Sequence, residues 1–174
     1  MKKLLFVISG LLLCSMLALS QENESNDSDD YFSLAMGYGN SYGGFGLRLQ
    51  YVTPGQTRAG FHGGVGYFPW NGGMLHAAGG IQLYFWDNLY ADAQFGMFGT
   101  YRFITSIGGT TTTEKKALYG PGLLLGYDFF FNEKFGLNLA AGLSYNVHDI
   151  SLHEGDSASR KIYPRVDLGF VIKL

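Results

Sequence analysis

Residues Phe135 to Val147 read FGLNLAAGLSYNV, and every second position repeats one theme. Phe135, Leu137, Leu139, Leu143, Tyr145 and Val147 are large and apolar, while Gly136, Asn138, Gly142, Ser144 and Asn146 between them are small or polar. A period of two is the signature of a strand whose faces meet different environments. The same alternation returns in YFSLAMGYG (31–39), FGLRLQY (45–51), AGFHGGVGY (59–67), LHAAGGIQLYF (75–85), LYADAQFGMFGTYRF (89–103), YGPGLLLGYDF (119–129) and IYPRVDLGFVIKL (162–174). Eight such segments are an even number, sufficient to close a small antiparallel barrel.

Two kinds of barrel fit this pattern, and they use the faces in opposite senses. The small face is mostly Gly, Ala and Ser, a poor surface to show to water but a good filling for a cramped interior. On the large face, aromatic residues collect at both strand ends. Tyr38, Phe45, Tyr67, Tyr101, Phe103, Tyr119 and Tyr145 fall toward one end, and Tyr51, Phe61, Phe85, Phe129, Phe135 and Phe170 toward the other. Leu34, Met36, Leu47, Leu49, Val65, Ile81, Leu123, Leu125, Leu139 and Leu168 lie between the two groups. Aromatic girdles bounding an aliphatic band match a bilayer. The connections TPGQT, DN and NEK are tight. ITSIGGTTTTEKK and HDISLHEGDSASR, at the opposite end, read as long polar loops at 104–116 and 148–160. Short periplasmic turns with longer external loops is the expected sidedness. The reading is an all-β, eight-stranded antiparallel up-and-down transmembrane β-barrel.

The N-terminal residues read differently. Lys2 and Lys3 precede the apolar run LLFVISGLLLCSMLALS, and Ala18-Leu19-Ser20 offers a small-x-small cleavage site, so 1–20 is expected to be a signal peptide. That run is shorter than the roughly 20 residues of a spanning helix. Cys14, the one cysteine of the chain, would leave with it, and the exported part would carry no disulfide framework. Residues 21–30, QENESNDSDD, hold Glu22, Glu24, Asp27, Asp29 and Asp30 and no base, and read as an acidic, solvated leader. The whole chain has a formal charge of −2, whereas residues 31–174 carry +1. No basic stripe points to nucleic acid.

Residues 31–174 as a whole resemble the OmpA/OmpX-type small outer-membrane barrels. That resemblance implies an outer-membrane location, contact with lipid and lipopolysaccharide, insertion by the barrel-assembly machinery, and a monomer. It does not carry a specific task. The end of the chain, VDLGFVIKL (166–174), looks like the C-terminal insertion signal of such barrels through Asp167, Gly169, Ile172 and Leu174, with leucine where an aromatic often stands.

Chemistry-bearing residues concentrate on the expected inner face: Arg48, His62, His76, Asp92, Arg102, Asp128, Arg165 and Asp167, with Gln50, Gln82, Gln94, Asn138 and Asn146. Buried charges must be paired or hydrated, so these predict a lumen plugged by ion pairs and hydrogen bonds. A narrow channel is the competing use, although eight strands enclose only room for side chains. His62 and His76 both face inward, but the hairpin count sets His62 opposite residues near 80, about 15 Å from His76 and too far for a shared ion. The segment around His148, Asp149, Ser151, His153, Glu154 and Asp156 invites comparison with the lipid A deacylase barrels, yet it lacks their His-x-Ser-Asn pattern. A catalytic relay also needs a rigid frame rather than one loop. The expected role is therefore non-enzymatic, structural or partner-binding through 104–116 and 148–160, with no cofactor or metal. A lipid-modifying enzyme is the alternative.

Overall fold

The computed structural model describes residues 30–55, 57–107, 110–147 and 162–174, with the side chains of 72, 102–111 and 114 set aside. The eight alternating segments form β1 (Tyr31–Gly39), β2 (Gly44–Val52), β3 (Ala59–Phe68), β4 (Met74–Trp86), β5 (Leu89–Ile107), β6 (Thr110–Phe130), β7 (Phe135–Tyr145) and β8 (Ile162–Lys173). Each pairs antiparallel with its neighbour in sequence, and β8 returns to β1 to close the barrel. The seam runs Met36 against Phe170 and Gly37 against Gly169, and the Leu174 N–H extends it by donating to Phe32 O at 2.9 Å. No strand of the cylinder is left as a sheet edge along this seam, which is what closure achieves.

The pleat sorts the side chains as the alternation requires. Phe32, Met36, Leu47, Leu49, Phe61, Val65, Leu123, Leu139, Leu168 and Phe170 all point outward, with Met36 66% and Leu123 69% exposed. On the inner face, Arg48, His62, His76, Asp92, Asp128, Asn138 and Asp167 are buried. The molecule is thus apolar outside and polar inside, the reverse of a water-soluble core.

Three features depart from the expected outline. First, the described part of 104–116 is strand and not loop. β5 and β6 continue as one hairpin, paired from Leu89 and Tyr127 out to Ile107 and Thr110. Ile104, Ile107 and Thr110–Thr113 are β-branched, which suits extended backbone, and mutual pairing satisfies their main chain. β4 leaves β5 beyond Ala78–Gly96, and past Gly122–Ser144 the chain after β7 holds β6 only through the Val147 N–H to Tyr119 O bond, so the distal hairpin is an arm rising above the rim.

Second, the β1–β2 connection does not cap the barrel from above. Its 3₁₀ turn, Asn40–Tyr42, folds into the lumen, and all three residues are buried. Glycines allow the dive at both ends, with φ of 136° at Gly39 and 66° at Gly43, values an L side chain rarely adopts. Third, the lumen is not lined with small residues alone. Tyr42, Tyr84, Tyr90, Phe98, Leu118 and Leu124 are buried within it. Phe98 is carried inward at a register shift between Met97 and Gly99, where β5 has one residue more than β6.

Residues 1–29 and 148–161 lie outside the described residues, and with them the expected signal peptide, most of the leader and the Ser/His/acid segment.

Candidate functional site

The plug turn sits in a socket that the strand sequences leave open for it. A Cβ added at Gly64 would fall on Ser41 O, one at Gly46 or Gly66 on Tyr42 O, and one at Gly169 on the Tyr42 ring. These glycines come from three strands, β2, β3 and β8, and all lie against the plug, although Gly46 and Gly66 also pair with each other across β2 and β3. Part of the glycine content on the inner face is therefore a mould for residues 40–42.

Asp167 of β8 holds the entrance of the turn. Its Oδ1 accepts the Asn40 N–H at 2.6 Å, and its Oδ2 accepts the Ser41 N–H at 3.1 Å. A carboxylate on the first free amides of a turn is the arrangement of a helix N-cap, here supplied across the barrel. Asn138 of β7 holds the tip, accepting the Tyr42 hydroxyl at 3.1 Å.

Asn138 is also the hub of the layer below. Its Oδ1 takes a long 3.4 Å bond from Arg48 Nη1, and its Nδ2 donates to Asp128 Oδ1 at 2.7 Å and to the Tyr90 hydroxyl at 2.5 Å. Asp128 then accepts the Tyr84 hydroxyl at 2.8 Å. Gln50 Nε2 donates to that hydroxyl oxygen at 2.9 Å and to Gln82 Oε1 at 2.6 Å. One connected network thus crosses the lumen from β2 and β4 to β6 and β7.

The expected arginine–carboxylate plug is built differently. Arg48 is 1% exposed, yet among the described residues no carboxylate lies within ion-pairing distance of it. Its guanidinium faces the Tyr42 ring at 5.1 Å and meets Asp128 only through the Asn138 amide, while Nε and Nη2 have no protein acceptor. An amide relay lets plus and minus share one low-dielectric space without contact. Histidine makes the direct pair instead, His62 Nε2 to Asp92 Oδ1 at 3.0 Å. That pair has the base and orienting acid of a catalytic relay, and among the described residues His62 Nδ1 has no hydrogen-bond partner.

His76 and Arg165 lie toward the upper rim. His76 stacks on Phe68 with centroids 5.2 Å apart and bonds Thr100 Oγ1 at 3.1 Å. β3–β4 pairing sets His62 against Gly80 and His76 against Gly66, so the two rings serve different levels, as the hairpin count expects. Arg165 is half-buried, with its guanidinium 4.2 Å above Phe98 and 5.8 Å from the Tyr163 ring. Of Arg102 only the strand position is described. Gly169 lies in the socket, whereas Ile172 is partly exposed and Leu174 is exposed on the outer side of the seam.

Comparison with family models, curated proteins and solved structures gave no match to this chain. The architecture alone therefore carries the interpretation.

A second barrier lies beneath the network. Val52, Tyr84, Tyr90, Leu124 and Ala140 form an apolar cluster with Tyr31 against it. At the lower mouth, Lys173 Nζ sits 4.0 Å over Phe130 and 4.5 Å over Tyr31, and Arg58 lies 4.8 Å over Tyr84. Tyr84, Tyr90 and Leu124 were readable from strand parity alone. The expectation of a small-residue lumen hides them, although Gly126 faces the Tyr90 ring as a small partner to a large one. Tyr42 lies on no strand and has no parity to read.

Proposed function

We propose that this chain is an integral outer-membrane β-barrel of OmpA/OmpX-like architecture, exported by its N-terminal segment, whose sealed cylinder carries an external arm for engaging a partner. The inside-out partition of side chains supports this reading most directly. Leu, Met, Val and Phe cover the outer surface, while Arg48, Asp92, Asp128, Asn138 and Asp167 are buried inside. In water that outer surface would be a large aggregation-prone patch; in a bilayer it is the required coat.

Two barriers in series, the plug and the Tyr84–Tyr90 cluster, favour a structural barrel over a narrow channel. The β5–β6 arm supplies a long two-stranded surface above the rim, suited to adding a strand or docking an extended segment of a partner. The role is non-enzymatic, with the barrel-assembly machinery and outer-membrane lipid as its other partners. Heat-modifiable gel migration of the envelope fraction tests the membrane reading. A folded band in detergent extracts that shifts on boiling is expected, and an unshifted band from the soluble fraction would overturn it. The lipid-modifying alternative rests on 148–160. Deleting that segment and following surface lipid A by mass spectrometry decides it.

A further inference from the structure

Among the described residues, the outer belt is bare of side chains at Gly63. β3 points Phe61 and Val65 outward, and Gly63 between them shows bare backbone. A Cβ added at Gly63 would meet nothing nearer than Ala78 O at 4.0 Å, and its cross-strand partner is another glycine, Gly79. Around this floor stand Leu49, Tyr51, Phe61 and Phe32, lining an open groove of about 490 Å³. That volume falls within the roughly 300–1,000 Å³ of ligand-sized clefts. The Phe32 and Tyr51 rings, 4.9 Å apart, form its lower wall.

The groove has a charged lower end. Tyr51 donates its hydroxyl to Asp30 Oδ2 at 3.1 Å, and Asp30 is exposed where β1 begins. Among the described residues no cation pairs with this carboxylate. Tyr51 and Leu49 are one face-repeat apart, about 7 Å along the strand, so acid and floor lie within one lipid's reach.

Resting on the membrane reading above, we propose that the groove seats one acyl chain of a periplasmic-leaflet aminophospholipid whose ammonium group meets the Asp30 carboxylate. The apolar floor takes the chain, and the acid selects the headgroup. A second copy of the barrel is a poorer occupant, because it would bring the Asp30 carboxylates of the two copies toward one another. Anionic lipid is repelled by the same carboxylate.

Native mass spectrometry of the full mature protein, released from mild detergent after incubation with phosphatidylethanolamine or phosphatidylglycerol of matched chains, tests this. The wild type is expected to retain one phosphatidylethanolamine and to prefer it several-fold, the modest effect of an exposed ion pair. Gly63→Leu is expected to lose retention of both lipids. Asp30→Asn is expected to keep a lipid but lose the preference. Equal retention by wild type and Gly63→Leu would overturn the proposal, as would equal retention of the two lipids by wild type. A wild-type dimer abolished by Gly63→Leu would assign the groove to a second copy and overturn it too. Heat-modifiable migration of each variant reports folding. It also separates the two failures: a membrane-extracted, heat-modifiable barrel that holds no lipid refutes the groove alone.

Discussion

Asp167 on the last strand binds the main chain of Asn40 just after the first, with 2.6 Å from the Asn40 nitrogen to Oδ1. The bond links residues 127 apart in the sequence and joins the plug to the seam strand. Removing it leaves buried amides at Asn40 and Ser41 without an acceptor, and a hydrogen bond to a charged group contributes about 1.5–3 kcal/mol. Asp167→Ala should therefore lower the temperature at which the compact band converts to the unfolded one on gels. Asp167→Asn, which keeps one oxygen, should fall between it and the wild type. Unchanged conversion in both variants would remove the latch from this account.

The socket predicts coupling between residues far apart in sequence. Gly64→Val places a side chain where Ser41 O now lies and should destabilise the barrel strongly. In a background with Asn40–Tyr42 replaced by a short glycine turn, the same change should be nearly neutral. A double-mutant cycle on thermal conversion measures this directly. Equal damage in both backgrounds would mean that Gly64 serves the strand and not the plug.

Asn138 should matter more than any single partner it holds. Asn138→Leu removes the hydrogen bonds to the Arg48 guanidinium and the Asp128 carboxylate, and a hydrogen bond to a charged group contributes about 1.5–3 kcal/mol. Tyr42→Phe removes one neutral hydrogen bond, about 0.5–1.5 kcal/mol. Urea unfolding in micelles should rank Asn138→Leu well below Tyr42→Phe, with the wild type highest.

Conduction should need two lesions. Planar-bilayer recordings of the wild type are expected to show no steady current. Deleting the plug leaves Val52, Tyr84, Tyr90 and Leu124 across the lumen and should leave the barrel silent. Adding Tyr84→Ala and Tyr90→Ala to the plug deletion should open a small pore. Steady current through the wild type would show that the lumen is a path and not a plug.

The arm should be separable from the cylinder. Replacing 101–117 by a tight turn removes only the part of β5–β6 that neither β4 nor β7 pairs with. Membrane assembly and heat-modifiable migration should persist, while any surface-binding activity is lost. Leu174→Asp should instead impair assembly, because residue 174 extends the β1–β8 pairing and its side chain is exposed on the apolar outer side.

The sequence by itself determined the strand number, their order and the two faces. A period of two assigns each side chain without reference to any partner, and β1 runs over Tyr31–Gly39 as the alternation in YFSLAMGYG indicates. It also put Arg48, Asp128, Asn138 and Asp167 on the inner face, since parity alone decides that. Only the tertiary structure decided what those residues do. Asp128 meets Asn138 because β6 and β7 are in register there, but Arg48 reaches Asn138 across the lumen, a contact that depends on barrel closure. Tyr42 belongs to no strand, and its place under Asp167 depends on a socket assembled from β2, β3 and β8. Periodicity is a local property and survives in one dimension; a plug and its latch are distances across a closed cylinder, and they exist only once the last strand has met the first.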